Sequence, residues 1–505
     1  MTRGRPPLLS IAAGLLCFVG LARLVWVLVG YYALEHAQRH HLETAWMIFI
    51  VAAVVAAACL PASRATGALP PNAGGAHPAS MAAWIAASLL LYYPSFDIGL
   101  LSDDFVLLAQ SPVGTDWQFF RPLPLTVWEL VHPVAGAAGL HMMNAALHGL
   151  NAFLLYRLSA RLLVHAPRIQ SVAAAVIFLT FPAAVEPVTW IAGIFDVALV
   201  TAALLYVNAL LTRSQGVSVP ALLALTAALL CKETAVVLPA VGWTLRFVTP
   251  AHVGTLVWST AIAATFAAVR TIVSQPPEIT APLGYFVKEM LSRPFATLGT
   301  PFTAMELTQA PILFGVIPQL VIATLVALYL FHRRHGLRPL LPASWILLGV
   351  APLLSYFFIS ETLQGSRYLY LPLVGWSILV AQLSDAGDNR YLRIGGALLV
   401  CIMVWYGLAG TVRHQSPWAV ASATRDAVLL DAQRAITARG CEAATFADLP
   451  DSVEGAYVFR NGFAEAARQA GVRVATSDAA PAGCTFTWRE GRFVATPADS
   501  DPRTK

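Results

Sequence analysis

The sequence predicts an all-α polytopic membrane protein that ends in a small α/β domain. Three observations carry this. Of the 505 residues, 57% are hydrophobic and only 12% are charged, and the mean hydropathy of +0.66 lies above that of an ordinary soluble globule. The apolar residues gather in runs of about 20, the length a helix needs to cross a hydrocarbon core; a transmembrane barrel would show shorter, alternating segments instead. Beyond residue 411 the chain turns mixed and charged, with strand-length apolar runs.

Taken in order, about thirteen spans are expected, at residues 8–32, 44–61, 81–101, 139–160, 169–187, 193–212, 217–231, 234–249, 252–273, 310–331, 339–358, 368–384 and 393–411. The first is too long for a signal-peptide core and no clean small-x-small site follows it, so it reads as a retained helix. Residues 1–80 form an N-terminal two-helix extension that includes a flexible Ala/Gly/Pro loop at 65–80. The main transmembrane domain covers 81–411, a C-terminal domain 412–495 and a frayed tail 496–505. Within the C-terminal domain, helices are expected at 417–437 and 463–470, and strands at 455–459, 484–488 and 492–495. Cys441 and Cys484 are either a disulfide or two buried thiols.

The charges set the orientation. With the N-terminus cytoplasmic, the inner loops hold Arg3, Arg5, Arg64, Arg157, Arg161, Arg168, Arg213, Arg246, Arg333, Arg334, Arg338, Arg390 and Arg393, with few acids. The outer loops hold Asp103, Asp104, Asp116, Glu129, Glu186, Asp196, Glu233, Glu278, Glu289, Glu306 and Glu361, with few bases. The expectation is a multi-pass plasma membrane protein with an extracytoplasmic C-terminal domain. No basic tract with interleaved aromatics is present, which excludes nucleic acid as a serious partner.

Ionisable residues at a membrane are costly and are functional candidates by default, and here they cluster on the outer side. Asp103-Asp104, in Leu-Leu-Ser-Asp-Asp-Phe, either cap a short helix or supply a general base. Arg121, between aromatics and prolines, suits a phosphate as well as it suits snorkelling to headgroups. His141, Asn144 and His148 share one helix face. The two histidines are roughly 10 Å apart along the axis, too far to share a metal. Interhelical hydrogen bonding is favoured for His148, while His141 and Asn144 lie nearer the outer end and could line a site. Glu186 and Asp196 flank a second acidic turn, which could equally be a solvated one. Lys232-Glu233 either neutralise each other or divide the work, Lys232 on a phosphate and Glu233 orienting it. Gly365-Ser366-Arg367-Tyr368 adds a third cation and a tyrosine at the same level.

Ser-Asp-Asp-Phe, then Phe-Arg-Pro-Leu, then His-x-x-Asn-x-x-x-His resemble, in that order, the front half of the GT-C glycosyltransferases. The likeness is to the protein O-mannosyltransferase-like and tetratricopeptide O-mannosyltransferase-like branch and its bacterial relatives. Phe181-Pro182 through Glu186, Val188, Trp190, Gly193 and Asp196 continue it, as do Cys231-Lys232-Glu233 and Ser366-Arg367-Tyr368-Leu369-Tyr370-Leu371-Pro372. The resemblance covers about residues 95–375 and makes 81–411 a GT-C-like catalytic domain. Ile194 stands where the family often has an arginine, and no tetratricopeptide array follows the spans. The run Gly455-Ala456-Tyr457-Val458-Phe459-Arg460-Asn461-Gly462-Phe463 is associated with bacterial members.

The resemblance implies an inverting transferase that moves a sugar from a polyprenyl-phosphate-linked donor to an acceptor hydroxyl on the outer side. Asp103 would be the base, with Asp104 as its partner or substitute. Arg121, Lys232 and Arg367 would hold the lipid phosphate, and His141, Asn144, Glu186, Asp196, Glu233 and Tyr368 would line the sugar and acceptor site. The acceptor is a protein, a glycolipid or a polysaccharide. No cofactor is required by the sequence, and a divalent metal stays open because related enzymes differ. Two rivals accompany this reading. A flippase of lipid-linked sugars would show inverted repeats and midplane charges, and a membrane-anchored envelope sensor or assembly factor would leave Asp103 dispensable.

Overall fold

A computed structural model describes residues 78–109, 120–163, 167–212, 216–247, 253–273, 297–298, 340–350, 359–360, 362–383, 390–475 and 484–495. The expected spans at 8–32, 44–61 and 310–331, and the aromatic residues Trp117 and Phe119, lie outside these residues.

The described chain is mostly helical with two small sheets. Helix α1 (Pro78–Leu91) leads through a 3₁₀ turn (Tyr93–Asp97) to the short α2 (Asp103–Ala109). Helix α3 (Pro122–Leu162) opens with prolines in its first turn, where a missing N–H costs nothing. It kinks at Gly136, three residues beyond Pro133. Helix α4 (Pro167–Thr180) stops before Pro182, and the chain bends by 54° into the segment Pro182–Thr189, which contains α5 (Val185–Thr189). Helices α6 (Ile194–Leu210), α7 (Val219–Cys231), α8 (Leu238–Thr244), α9 (Val253–Val273), α10 (Leu340–Val350) and α11 (Tyr370–Leu383) follow.

Three described helices are long and apolar enough to cross a membrane: Ile191–Leu210, Val253–Val273 and Ile394–Arg439. A fourth is added if Ile169–Thr180 and Pro182–Thr189 form one bent span. These fall where spans are expected at 169–187, 193–212, 252–273 and 393–411. Ser80–Leu91, Val219–Cys231 and Leu341–Val350 are apolar but shorter. Val257, Trp258 and Ile272 of α9 and Ile394, Leu398 and Trp405 farther along are large apolar side chains left exposed, as a lipid-facing surface would require.

The last membrane-type helix does not end where the composition changes. Helix α12 (Arg390–Arg439) runs for 50 residues through Pro417, so the expected boundary at 411/412 and the separate helix at 417–437 fall within one element. Proline removes the N–H that would reach the Arg413 carbonyl four residues back. The Ser416 hydroxyl donates to that carbonyl instead, at 2.8 Å, and the helix continues.

The C-terminal domain carries β1 (Thr445–Ala447), β2 (Ser452–Val453), β3 (Ala456–Tyr457), α13 (Phe463–Gln469), β4 (Thr485–Arg489) and β5 (Arg492–Ala495). β4 lies between β1, parallel to it, and β5, antiparallel; β2 and β3 form a separate antiparallel pair. The strand expected at 492–495 is there in full, the one at 484–488 is shifted by one residue, and the strand at 455–459 and the helix at 463–470 are shorter than expected, while β1 and β2 are additions. Cys441, just past α12, is disulfide-bonded to Cys484, just before β4.

One apolar cluster fills the helical bundle, with Phe178, Leu204, Trp345 and Trp376 among its members. A second joins α2, α3 and the Trp190 turn to the C-terminal domain: Leu101, Phe105, Trp128, Trp190 and Phe195 pack with Trp418, Tyr457, Phe459 and Phe463. The domain therefore shares a core with the bundle, and the functional candidates sit along that seam.

Candidate functional site

Asp103, Arg121, Asp196, Lys232, Arg367 and Tyr368 line one cavity of about 580 Å³, within the usual size for a small-ligand site. They come from α2, the start of α3, α6, the end of α7 and the turn before α11. Val106, Leu107, Ala192 and Phe195 form an apolar part of the wall, and Asn461 and Gly462 of the C-terminal domain close one side.

Each cation has an acidic partner. Arg121 donates to Glu233 through Nη2 at 2.8 Å and Nε at 3.2 Å, the two-pronged geometry guanidinium gives with carboxylates, and stands 4.9 Å from the Phe195 ring centroid. It is the residue before Pro122 at the start of α3, with φ −136° and ψ 61°, outside the helical region. Lys232 donates to Asp196 at 2.6 Å, both side chains nearly fully buried, and its ammonium lies 4.8 Å from the Tyr368 ring centroid. An ammonium has three donors and Asp196 takes one. Arg367 pairs with Glu186 and donates to Tyr457 Oη at 2.7 Å and Tyr368 Oη at 2.8 Å. Its guanidinium is also within 5.0 Å of the Trp190 ring centroid. Lys232 and Glu233, neighbours in sequence, thus make their close ion pairs with Asp196 and Arg121.

The electrostatics follow from these pairs. Burial works to raise the Glu233 carboxyl, but Arg121 and Lys232 outweigh it and hold it at about 2. Burial also works against the Arg367 charge, and the Glu186 carboxylate with the Tyr368 and Tyr457 hydroxyls turns the balance, placing it well above its ordinary value. Burial pulls the Lys232 ammonium down, opposed by Asp196.

The two adjacent aspartates separate here. Asp104 is fully buried and faces away from the cavity. Its Oδ2 accepts from the Leu101 N–H and its Oδ1 from the Ala192 N–H, both at 2.9 Å. The first bond reaches back three residues; the second ties α2 to the Trp190 turn. Burial pushes its carboxyl well above the usual range, with those two N–H donors pulling the other way. Neither donor is a first-turn N–H of α2, so Asp104 braces the preceding loop and the Trp190 turn and does not cap its own helix. Asp103 is half-buried, lines the cavity, and accepts from Asn461 Nδ2 at 2.6 Å and, at 3.5 Å, from the Ser102 hydroxyl. Among the described residues it joins no ion pair.

The remaining candidates brace this wall. His141 Nε2 meets the Gly99 carbonyl at 3.2 Å. Asn144 Nδ2 donates to the carbonyls of Trp190 and Ile191 at 2.9 and 3.2 Å. Both side chains are buried and neither lines the cavity. Glu186 sits behind the wall, accepting also from Tyr457 Oη at 3.3 Å and Ser366 Oγ at 3.4 Å. His148 joins helices, bonded to Tyr370 Oη at 2.6 Å and the Leu179 carbonyl at 3.1 Å. The Trp190 turn folds tightly enough that a Cβ on Gly193 would lie 2.2 Å from the Pro187 carbonyl oxygen, so only glycine fits.

Sequence reading gave no role to Tyr457, Asn461, Gly462, Trp190, Phe195 or Arg425. Arg425 of α12 holds the loop before α2 by donating to the carbonyls of Ile98 and Leu100 at 3.1 and 2.6 Å. The signal for Tyr457, Asn461 and Gly462 was the run at 455–463, noted without a function. Among the described residues no group of three His, Cys, Asp or Glu side chains is placed to hold a metal ion. No family model, no curated protein and no solved structure matches the chain.

Chemically, the cavity presents one carboxylate outside any described ion pair, three cations each paired with an acid, and an apolar flank beside them. The donors that these cations do not spend on their acids can contact an anionic group attached to an apolar chain, and the carboxylate can take a proton from a hydroxyl brought next to it.

Proposed function

We propose that the protein is a membrane glycosyltransferase of GT-C type, transferring a sugar from a polyprenyl-phosphate-linked donor to an acceptor hydroxyl at the extracytoplasmic face. In this reading the chain crosses the membrane thirteen times, with its N-terminus cytoplasmic and its C-terminal domain outside. The supporting observation is the cavity itself: Asp103 faces the same space as Arg121, Lys232 and Arg367, cations drawn from distant parts of the chain.

The proton of the acceptor hydroxyl passes to Asp103 as the hydroxyl oxygen attacks the anomeric carbon. The bond from that carbon to the phosphate oxygen breaks, and the lipid phosphate leaves with the electron pair. Lys232, with donors beyond the one used on Asp196, and the two arginines stabilise the leaving charge; fixed donors of this kind are worth about 10²–10³ in rate each. A single displacement inverts the sugar and needs one base, unlike the paired carboxylates of hydrolases. Asp196, Glu186 and Glu233 hold the cations in place.

The test is the full-length protein in lipid nanodiscs, given polyprenyl-phosphate mannose with envelope extract as acceptor, and followed by release of polyprenyl phosphate. Release by the wild type that falls at least a hundredfold in Asp103→Asn supports the proposal. Equal release by both proteins rejects Asp103 as base. Movement of the donor between leaflets without release favours a flippase.

A further inference from the structure

We infer that Asn461 positions the Asp103 carboxylate, which makes the C-terminal domain a working part of the transferase site. This rests on the proposed role of Asp103 as base.

Four contacts carry it. Asn461 Nδ2 donates to Asp103 Oδ1 at 2.6 Å; the amide is oriented by chemistry, since an ionised carboxylate only accepts. The backbone N–H of Asn461 donates to the Ser102 hydroxyl at 3.3 Å. The N–H of Ser102 donates in turn to the Val458 carbonyl at 3.0 Å. Gly462, with φ +80°, lies so close that a Cβ on it would stand 2.4 Å from the Ser102 carbonyl oxygen. Residues 458–462 therefore grip the residue before Asp103 as well as its carboxylate. Ser102 itself holds φ +50°, a left-handed conformation that non-glycine residues adopt only when their surroundings enforce it.

The consequence is directional. With Oδ1 engaged by Asn461, Oδ2 is the oxygen presented to an acceptor hydroxyl, and the carboxylate is fixed about its last torsion. A base held in one orientation is worth about 10- to 100-fold over one that swings. Asn461 is exposed, so its removal takes little from the folded state, and its effect belongs to the rate.

The experiment is a double-mutant cycle on full-length protein in nanodiscs, with polyprenyl-phosphate mannose and envelope extract. Asn461→Ala lowers kcat about 10- to 100-fold and leaves KM for the donor within about twofold, with an unchanged melting temperature. In an Asp103→Glu background, where the carboxylate has moved away, the same change costs less than about threefold. Asn461→Asp, of the same size but placing a second carboxylate against the first, loses at least as much as Asn461→Ala and decides the matter should the alanine variant fail to fold. A kcat for Asn461→Ala or Asn461→Asp within twofold of wild type overturns the inference, as does an equal loss in both Asp103 backgrounds. Full release by Asp103→Asn instead rejects the base reading beneath it, so the two failures are told apart.

Discussion

Adjacent carboxylates in one dipeptide have opposite surroundings. Asp104 satisfies two backbone N–H groups from inside the protein, and Asp103 looks into the cavity. Replacing Asp104 by Asn leaves one acceptor oxygen and sets an amide N–H against a backbone N–H. A loss of about 1–3 kcal/mol is expected, seen as a lowered denaturation midpoint in detergent. Asp103→Asn is expected to shift that midpoint hardly at all. Glu233 gives a pH signature. Its folded value of about 2 lies below the ordinary 4.5, so the unfolded chain binds the proton first as the medium is acidified. The stability it contributes is complete above about pH 4.5 and drains away as the pH falls toward 2. Melting temperatures across that window are expected to fall less steeply for Glu233→Gln than for the wild type. That the doublet matters was legible in a chain with so few charges; which aspartate faces the cavity was not. That depends on the bend at Ser102 and on Ala192, 88 residues on, and no local spacing encodes either.

At the scale of elements, α6 and α7 are locked by a buried ion pair, Lys232 with Asp196. Removing one partner strands the other charge. Lys232→Met is expected to destabilise by about 3–5 kcal/mol, and adding Asp196→Asn is expected to restore much of that loss, read from the same unfolding curves. The pairing partners were not legible, since Lys232 stands beside Glu233 in sequence and only the crossing of α6 and α7 reveals Asp196. β3, β4, β5 and α13 were readable from alternating and helical apolar spacing, while β1 and β2, three and two residues long, were not. The 50-residue α12 was not readable as one element, because Pro417 signals a break and its repair lies in Ser416. Gly462 belongs to this scale as well. Gly462→Ala forces the α2 and α13 ends apart, and a lower melting temperature with reduced transfer is expected.

For the whole molecule, composition and charge bias predicted a helical membrane protein with its unusual residues at one end; the described chain is mostly helical, three of its helices are long and apolar enough to cross a membrane, and Asp103, Arg121, Lys232 and Arg367 line one cavity. Composition could not indicate that the C-terminal domain shares a core with the bundle, because Trp190, Trp418 and Tyr457 meet only in three dimensions. The orientation is tested by a single reporter cysteine. Arg468→Cys, at an exposed position of α13, in a chain whose other unpaired cysteines are replaced by alanine, is expected to react with a membrane-impermeant maleimide in intact cells. Labelling only after lysis would put the domain in the cytoplasm and with it the whole proposed site. The most direct test of the account remains chemical: release of polyprenyl phosphate by Asp103→Asn and Asp104→Asn proteins, each normalised to its folded fraction. The account expects Asp103→Asn to lose at least about a hundredfold while Asp104→Asn keeps most of its activity per folded molecule. Undiminished release by Asp103→Asn, with loss confined to Asp104→Asn, would contradict it.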